Sequence, residues 1–467
     1  MRNKPQILIL GAGPAGIGAG IALGDRAAVL EGCQDLGGLC RTIELDGAVF
    51  DWGGHSFHTP HAHIRDLVFE SLDMYEQTRD ARCFIHGEMI PYPFQKHFHE
   101  LQNPVIRKEC ASGLPSGNEA KGAENLEDYL RQRFGPGIAH HFLLPYNRKL
   151  WGPDLQQLAV DWVAERVAEP KETRKVEERE DGGLTIENGE ARGSLPSSIL
   201  HPRSPITLSG RRSPLLSDSR VAYPAQGGFG EILRALARRL PHLQLGQEAT
   251  HIDPLQRKLT TAHGDMFSWN RLISTLPIPK LLTIMDDVPS RIHEAAMQLK
   301  GLPMALVLVV IGHSTDTSIQ RIYSAGAEIP AHKIVVNHNS SPYLRSLPHH
   351  GIMAEVSSAS NSVHEDLERQ VVRGLQEMGL IRSPEVVRTT KVLHVPAAYP
   401  MPTANREIIV RQLKTWLAHR GIITVGRFGE WAYINSDEAL NRGIDVGRAV
   451  LEDNDAAFDF LRFARAS

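Results

Sequence analysis

The chain has little cysteine, few aromatic residues, almost no net charge and no long apolar run. Four cysteines among 467 residues, none in C-x-x-C spacing, are too few to staple a chain this long. They read as free thiols and exclude a disulfide scaffold or a thiolate zinc site. A net charge of −3 gives no electrostatic footprint for nucleic acid or a membrane surface, so neither is expected as a partner. The longest apolar stretch, Met304 to Ile311, is far short of a membrane span. The apolar N-terminal stretch is too short and glycine-rich for a signal peptide, so a cytoplasmic location is expected. Repeats are absent. What remains is an ordinary globular composition, 42% hydrophobic and 22% charged, with room for about three domains.

Against that background, the stretch from Gln6 to Glu31 stands out. Gln6 to Leu10 is a short apolar run that suits a buried parallel strand. It runs into Gly11-Ala12-Gly13-Pro14-Ala15-Gly16, a G-x-G-x-x-G pattern, followed by a helix from Ala15 to Leu23. The first glycine permits the tight turn, the second admits a pyrophosphate to the backbone, and the third lets helix and strand pack closely. The helix N-terminus offers free N–H groups to that pyrophosphate. Ala27 to Leu30 forms a second strand, and Glu31 at its end is placed to accept an adenosine ribose. An acid there argues for FAD or NAD over NADP. Strand, glycines, helix, strand and acid in sequence make a far stronger signal than the glycines alone.

Next come Gly37, Gly38 and Arg41, a second set of backbone amides with a cation suited to phosphate. Ile43 to Asp51 reads as a hairpin turning at Asp46-Gly47. Gly53-Gly54-His55 lets backbone lie flat on a planar ring with an imidazole beside it. The neighbouring His58, His61 and His63 invite a metal reading. No helix aligns them and no cysteine or carboxylate cluster completes a shell, so no metal is assigned. Phe84 to Ile90 is a second hairpin turning at Gly87. It leads to Pro91-Tyr92-Pro93-Phe94-Gln95, where the prolines hold Tyr92 extended as a ligand wall or an edge plug.

Asn103 to Glu124 is polar and reads as a loop, and Asn125 caps a helix that Gly135-Pro136-Gly137 interrupts. Phe142, Tyr146, Asn147 and Trp151 fall within ten residues of one another. They suit stacking of a base, or packing of an aromatic helix on a sheet, equally well. Glu169 to Arg220 is charged and rich in Gly, Ser and Pro, and reads as a flap or lid. Tyr223 to Gly230 opens a helix, Arg271 to Leu276 is a buried strand, and Met304–Ile311, Ile322–Tyr323, Ile334–Val336 and Ile352–Val356 form a mostly antiparallel sheet. Ala398 to Pro402 reads as a rigid turn presenting Tyr399. Ile422 to Gly429 followed by a helix from Ser436 gives a second dipole-positive platform, with Arg442 and Arg448 solvated.

Taken together, these motifs resemble the FAD-dependent UDP-galactopyranose mutases, within the wider superfamily of amine oxidases and protoporphyrinogen oxidases. The resemblance covers nearly the whole chain. It rests on Gly53-Gly54-His55, Pro91-Tyr92-Pro93-Phe94-Gln95, Pro145-Tyr146-Asn147 with Trp151, Glu165-Arg166-Val167, Tyr223-Pro224-Ala225 with Gly227-Gly228, Tyr399-Pro400 with Pro402-Thr403, and Gly426-Arg427-Phe428-Gly429 with Trp431 and Tyr433. The pattern is most similar to the eukaryotic-type mutases.

The resemblance implies an α/β fold: an FAD-binding Rossmann-type domain with an inserted helical domain and an antiparallel β-sheet domain. The first would span 1–83 with 221–285 and 396–467, the helical domain 96–220, and the sheet domain 84–95 with 286–395. It implies that reduced FAD, supplied with electrons by NADH or NADPH, attacks the anomeric carbon of a nucleotide sugar through N5. The adduct would open and reclose, interconverting pyranose and furanose without net redox. Cofactor contacts would come from Gly11, Gly13, Pro14, Ala15, Gly16, Glu31, Gly38, Leu39, Arg41, Gly54, His55, Gly426 and Arg427. Tyr92, Gln95, Phe142, Tyr146, Asn147 and Trp151 would hold the nucleotide, and Arg166, Lys333, Tyr399 and Tyr433 the diphosphate. His55, Arg166, Lys333 and Arg427 would be the catalytic set. A homo-oligomer is left open.

Three places depart from the family pattern. Lys333 stands where a second diphosphate arginine is usual, Gln226 replaces a basic residue, and Asn435-Ser436-Asp437-Glu438 lacks the usual histidine. The competing reading is an FAD-dependent oxidoreductase of amine oxidase or desaturase type acting on a small metabolite.

Overall fold

The computed structural model describes residues 7–114, 122–163, 220–357 and 366–452, together with two short paired strands at Glu177–Glu178 and Leu184–Thr185. Its first organising element is a five-stranded parallel sheet. The strand order is Leu243–Gln244, Ala27–Leu30, Ile7–Leu10, Arg271–Ser274 and Ile422–Thr424. Side chains alternate across these strands, yet both faces are apolar because both are covered. Ile9, Val29 and Ile273 face one side, against helices Pro14–Leu23, Gly230–Ala237 and Ser436–Glu452. Leu8, Leu10, Ala28 and Leu30 face the other, against helices Ile278–Thr283, Ser290–Met297 and Arg406–Ala418.

Helix Pro14–Leu23 lies directly on helix Ser436–Glu452. A side chain at Gly18, Gly443 or Gly447 would run into the facing helix, so this contact is set by the absence of Cβ atoms. Such close approach fixes the glycine turn at Gly11–Gly16 relative to the start of the last helix.

The second organising element is a seven-stranded sheet in the order Val387–Pro400, Gly301–Ile311, His350–Ser357, Lys333–Val336, Arg321–Ser324, Ala81–Ile85 and Glu88–Pro91. All its pairings are antiparallel except that between Arg321–Ser324 and Ala81–Ile85. One face, carrying Val307, Ile322, Ile334 and Ala354, packs against helix Leu367–Glu377. The opposite face, with Met304, Leu306, Val335 and Met353, packs on Phe50 of the hairpin Thr42–Leu45/Ala48–Asp51. A third core joins helices Leu126–Ile138 and Leu144–Trp151 to the sheet edge at Cys83 and Ile90.

Three expectations need correction. The stretch after Asn103 holds a helix, Pro104–Ser112, where composition indicated a loop. Asn103 Oδ1 accepts the Val105 and Ile106 amides at 3.0 and 3.4 Å, Pro104 occupies the first turn, and Ile106 and Cys110, one turn apart, are its buried face. Tyr399 lies in the edge strand Val387–Pro400 and not in a turn. Prolines are tolerated there because the register slips between Leu302 and Met304 and the strand has one free side. Arg442 is not simply solvated: its guanidinium meets Glu438 at 2.7 Å and Glu430 at 3.5 Å. Arg166 and nearly all of the charged segment after it lie outside the described residues.

Candidate functional site

One cavity of about 580 Å³ runs from the glycine turn to the face of the seven-stranded sheet. At one end it is lined by Gly11, Gly13, Pro14, Ala15, Glu31, Gly38, Leu39 and Gly426, and at its middle by Gly54, His55 and Arg427. At the other end lie Tyr92, Gln95, Phe142, Tyr146, Asn147, Trp151, Lys333, Tyr399 and Tyr433. The fold therefore gathers residues from nearly every part of the chain into a single space.

The glycine end is built from backbone. Gly13 and Gly38 lie side by side in the cavity lining, a Cβ on Gly38 falling 3.5 Å from the Gly13 Cα, so larger side chains here would take up space in the trough. Glu31 is fixed by two backbone donors: the Ala12 amide at 2.7 Å and the Cys33 amide at 2.9 Å. Gly16 does not line the cavity. A side chain on it would strike the Gly11 carbonyl, so its part is to let the helix start against the turn. Arg41 also stays out of the cavity: its Nε donates to the Gly38 carbonyl at 2.9 Å and its guanidinium lies over Trp52. It braces the second glycine turn from behind.

The middle is organised by buried polar groups. Asp51 is fully enclosed and accepts from Thr42, Tyr223 and the Phe229 amide at 2.8, 2.6 and 2.8 Å. Burial pushes its carboxyl up to about 6, while those three donors oppose the shift. These bonds tie the hairpin to the Tyr223–Gly230 segment. The ring of Phe229 then stacks on His55 at 4.8 Å. Burial, with the charges of Lys333 and Arg427 adding to it, lowers His55 to about 3, so the imidazole is neutral near pH 7. Its Nδ1 is buried without a hydrogen-bond partner among the described residues, and its Nε2 lies 3.9 Å from the Cys40 thiol. The Arg427 guanidinium donates to the Ile434 carbonyl at 2.6 and 2.9 Å and to the Ala398 carbonyl at 3.2 Å. It pins the two segments that carry Tyr433 and Tyr399.

The far end is aromatic. Phe94, Phe142 and Tyr146 stack in parallel, with centroids 4.7 and 5.8 Å apart. Trp151, Tyr399 and Tyr433 meet edge to face at 5.0 to 6.1 Å. Trp151 Nε1 is buried without a hydrogen-bond partner among the described residues. The sheet face contributes Arg321, Tyr323, Lys333 and Glu355, and the link just before strand Ala81–Ile85 contributes Arg79, whose guanidinium donates to the Tyr323 hydroxyl at 2.6 Å. Four of these five were not picked out from the sequence. The signal was there: a glutamate inside the apolar run Ile352–Val356, and Arg321 and Tyr323 two residues apart on one strand face. Lys333 is not an isolated cation, since its Nζ lies 2.7 Å from Glu355.

Among the described residues, no group of three or more His, Cys, Asp or Glu side chains could hold a metal ion. His61 instead pairs with Glu438 at 2.9 Å and His63 with Asn441 at 2.8 Å. No helix of the described residues is long and apolar enough to cross a membrane.

Residues 9–71 match the family model of the NAD(P)-binding Rossmann-like domain. Across a wider stretch the chain is similar to coproporphyrinogen III oxidase of Mycobacterium tuberculosis, 24% identical over 327 residues, 67% of each chain. In three dimensions it is similar to reduced UDP-galactopyranose mutase, with a TM-score of 0.82, 23% identity and 98% of each chain covered. It is also similar to a putative protoporphyrinogen oxidase from Exiguobacterium sp. 255-15, with a TM-score of 0.68, 16% identity, and 97% and 100% of the two chains covered. At these identities the likeness establishes the fold: a mixed α/β chain with a Rossmann-like dinucleotide domain and a multi-stranded sheet, the architecture of UDP-galactopyranose mutase.

Proposed function

We propose that the chain is an FAD-dependent nucleotide-sugar mutase, interconverting pyranose and furanose forms. The observation that carries the reading is the single cavity joining a dinucleotide trough to a wall of parallel aromatic rings flanked by Gln95 and Asn147. The residues present fit the cofactor. The paired glycines Gly13 and Gly38 leave a trough that side chains would fill, Glu31 stands at the ribose position, and the buried Nδ1 of His55 awaits a partner at the middle. When bound and reduced, the flavin supplies a nucleophilic nitrogen; when oxidised, it accepts hydride.

The chain's own residues would do the rest. Gly13, Gly38 and the helix start after Gly13 would bind the pyrophosphate, with Arg41 holding the Gly38 turn in place. Phe142, Tyr146 and Trp151 would sandwich the base, with Gln95 and Asn147 at its edge and Tyr92 closing the wall. Tyr399 and Tyr433 would donate to the diphosphate, with Arg166 and Lys333 as its cations. Neutral His55 would offer a hydrogen bond beside the reacting carbon without adding charge.

A second reading, flavin-dependent oxidation of a small metabolite, is favoured by two observations. Lys333 is already neutralised by Glu355, which weakens its claim on a diphosphate, and a relative matched across 67% of this chain is named as an oxidase. The deciding experiment incubates the FAD-loaded, dithionite-reduced protein anaerobically with a panel of nucleotide sugars. An isomer of unchanged mass, formed without net consumption of reductant, supports the mutase. Turnover by the oxidised protein, with peroxide released in step with substrate loss, overturns it in favour of the oxidase.

A further inference from the structure

Of the charged cluster at the floor of the cavity, only Lys333 enters the scheme above; Glu355 and Arg321 have no part in it. Lys333 and Glu355 are directly opposite on neighbouring antiparallel strands, and Arg321 sits opposite Val335 one strand further along. Period-two alternation puts all three on the cavity face. Glu355 is only 1% exposed and Arg321 only 4%. A carboxylate so enclosed is costly unless each oxygen is satisfied.

The two oxygens face different parts of the molecule, Oε1 through a hydrogen bond and Oε2 through an ion pair that lacks hydrogen-bond geometry. Oε1 accepts the Gly54 amide at 2.6 Å, across 301 residues of sequence. Oε2 meets Lys333 Nζ at 2.7 Å and His332 Nε2 at 3.5 Å. Next to them, the Arg321 guanidinium donates to the His55 carbonyl and, at 2.9 Å, to that of Gln320. The Gly53–His55 loop is thus held at two consecutive residues by two buried charged side chains. Gly54 must be glycine for this: a Cβ would lie 2.8 Å from Val335 Cγ2, 3.1 Å from Lys333 Cε and 3.2 Å from Arg321 Nε. Burial works against the Glu355 carboxylate, but the nearby Lys333 cation, with His332 beside it, outweighs it and holds it ionised.

We infer that Glu355 is the positioning residue of the Gly53-Gly54-His55 loop. One carboxylate oxygen fixes the loop backbone and the other cancels the Lys333 charge, so that loop geometry and local charge beside the bound flavin are set by a single side chain. This rests on the flavin reading but not on the choice between mutase and oxidase.

Two variants separate the two tasks. Glu355→Gln keeps an oxygen for the Gly54 amide but leaves Lys333 unbalanced. Glu355→Asp keeps the charge but shortens the reach by one methylene. Deuterium exchange at the Gly54 amide and the flavin midpoint potential, titrated anaerobically on the FAD-loaded protein, are read for each. Glu355→Gln is expected to hold Gly54 exchange near wild type while raising the potential, because a lone ammonium favours the more negative reduced flavin. The reduced-to-oxidised ratio at a fixed potential should rise roughly tenfold. Adding Lys333→Met to Glu355→Gln should bring the potential back, which a merely structural role would not do. Glu355→Asp is expected to speed Gly54 exchange at least about tenfold with little change in potential.

An unshifted potential in Glu355→Gln, or an unchanged Gly54 exchange in Glu355→Asp, overturns the inference. Should Glu355→Gln fail to fold, Glu355→Asp and the double variant, which leaves no lone Lys333 ammonium, still decide it: a double variant far from the wild-type potential also overturns it. A wild-type protein that takes up no FAD refutes the flavin reading instead, while the Gly54 exchange arm still stands on its own.

Discussion

The two ends of the cavity are built by opposite means. The glycine end is backbone: Gly11, Gly13 and Gly38 present amides and empty space, and most of its residues fall between Gly11 and Leu39. The sheet end is side chains: Arg321, Lys333 and Glu355 meet only because three strands lie side by side, and their partner Gly54 comes from far away in sequence. The first tolerates no added atoms, whereas the second tolerates no lost charge partners. The two ends should therefore fail differently when altered.

Gly13→Val should have the largest effect. It fills the trough without touching the core, so the protein should fold but retain FAD roughly 100-fold more weakly. The ratio of flavin to protein absorbance after desalting measures this, and unchanged retention would break the contrast.

Asp51→Asn comes next, at the junction of the two ends. The carboxyl titrates near 3.8 in an unfolded chain and at about 6 here, so between those values the folded state holds its proton longer. The contribution of Asp51 to stability therefore falls as pH rises through that window, by at most about 3 kcal/mol, and is constant above it. Denaturant titrations of wild type and variant at pH 4 and pH 7 test this: the stability difference between them should change in that direction. No change would mean that folding leaves the Asp51 carboxyl unshifted.

Arg427→Ala should cost about 2 kcal/mol through the bonds to Ile434 and Ala398. It should also raise KM roughly tenfold by loosening Tyr399 and Tyr433, with FAD content little changed. A fall in FAD content alone would move Arg427 to the cofactor end.

The smallest effect is expected at Arg41. An arginine paired directly with phosphate would, when lost, weaken FAD binding about 100-fold or more. Because its Nε bonds the Gly38 carbonyl outside the cavity, Arg41→Gln should weaken it less than about fivefold. Fluorescence titration of the apoprotein with FAD distinguishes the two.

The same contrast explains what could be read in the sequence. The clasp was legible because strand, glycines, helix, strand and acid follow one another within Gln6–Glu31, although Gly11 and Gly13 also abut Thr275 and Gly38. The aromatic wall was legible as composition only: Phe142, Tyr146 and Trp151 suited a base pocket or a packed helix, and the fold makes them both wall and core. Glu355 was hidden because its meaning depends on register, and a one-residue slip of its strand would turn it away from Lys333. The helix Pro104–Ser112 was missed because only Ile106 and Cys110 along it are buried, too sparse for an apolar period. Tyr399 was misplaced because prolines signal turns unless an edge strand accommodates them.

The glycine contact between helices Pro14–Leu23 and Ser436–Glu452 also orders events during synthesis. The cofactor trough stands on a helix whose packing partner is translated last among the described elements, and two neighbouring strands of its sheet, Arg271–Ser274 and Ile422–Thr424, also come late. At ~5–20 residues per second the ribosome needs some tens of seconds to deliver them. Until then the apolar strand Ile7–Leu10 has its early neighbour Ala27–Leu30 but lacks Arg271–Ser274 on its other edge. On the flavin reading, cofactor loading would follow delivery of that last helix, and a truncation that spares every cavity-lining residue but removes the last two turns of Ser436–Glu452, with Gly447, would weaken it.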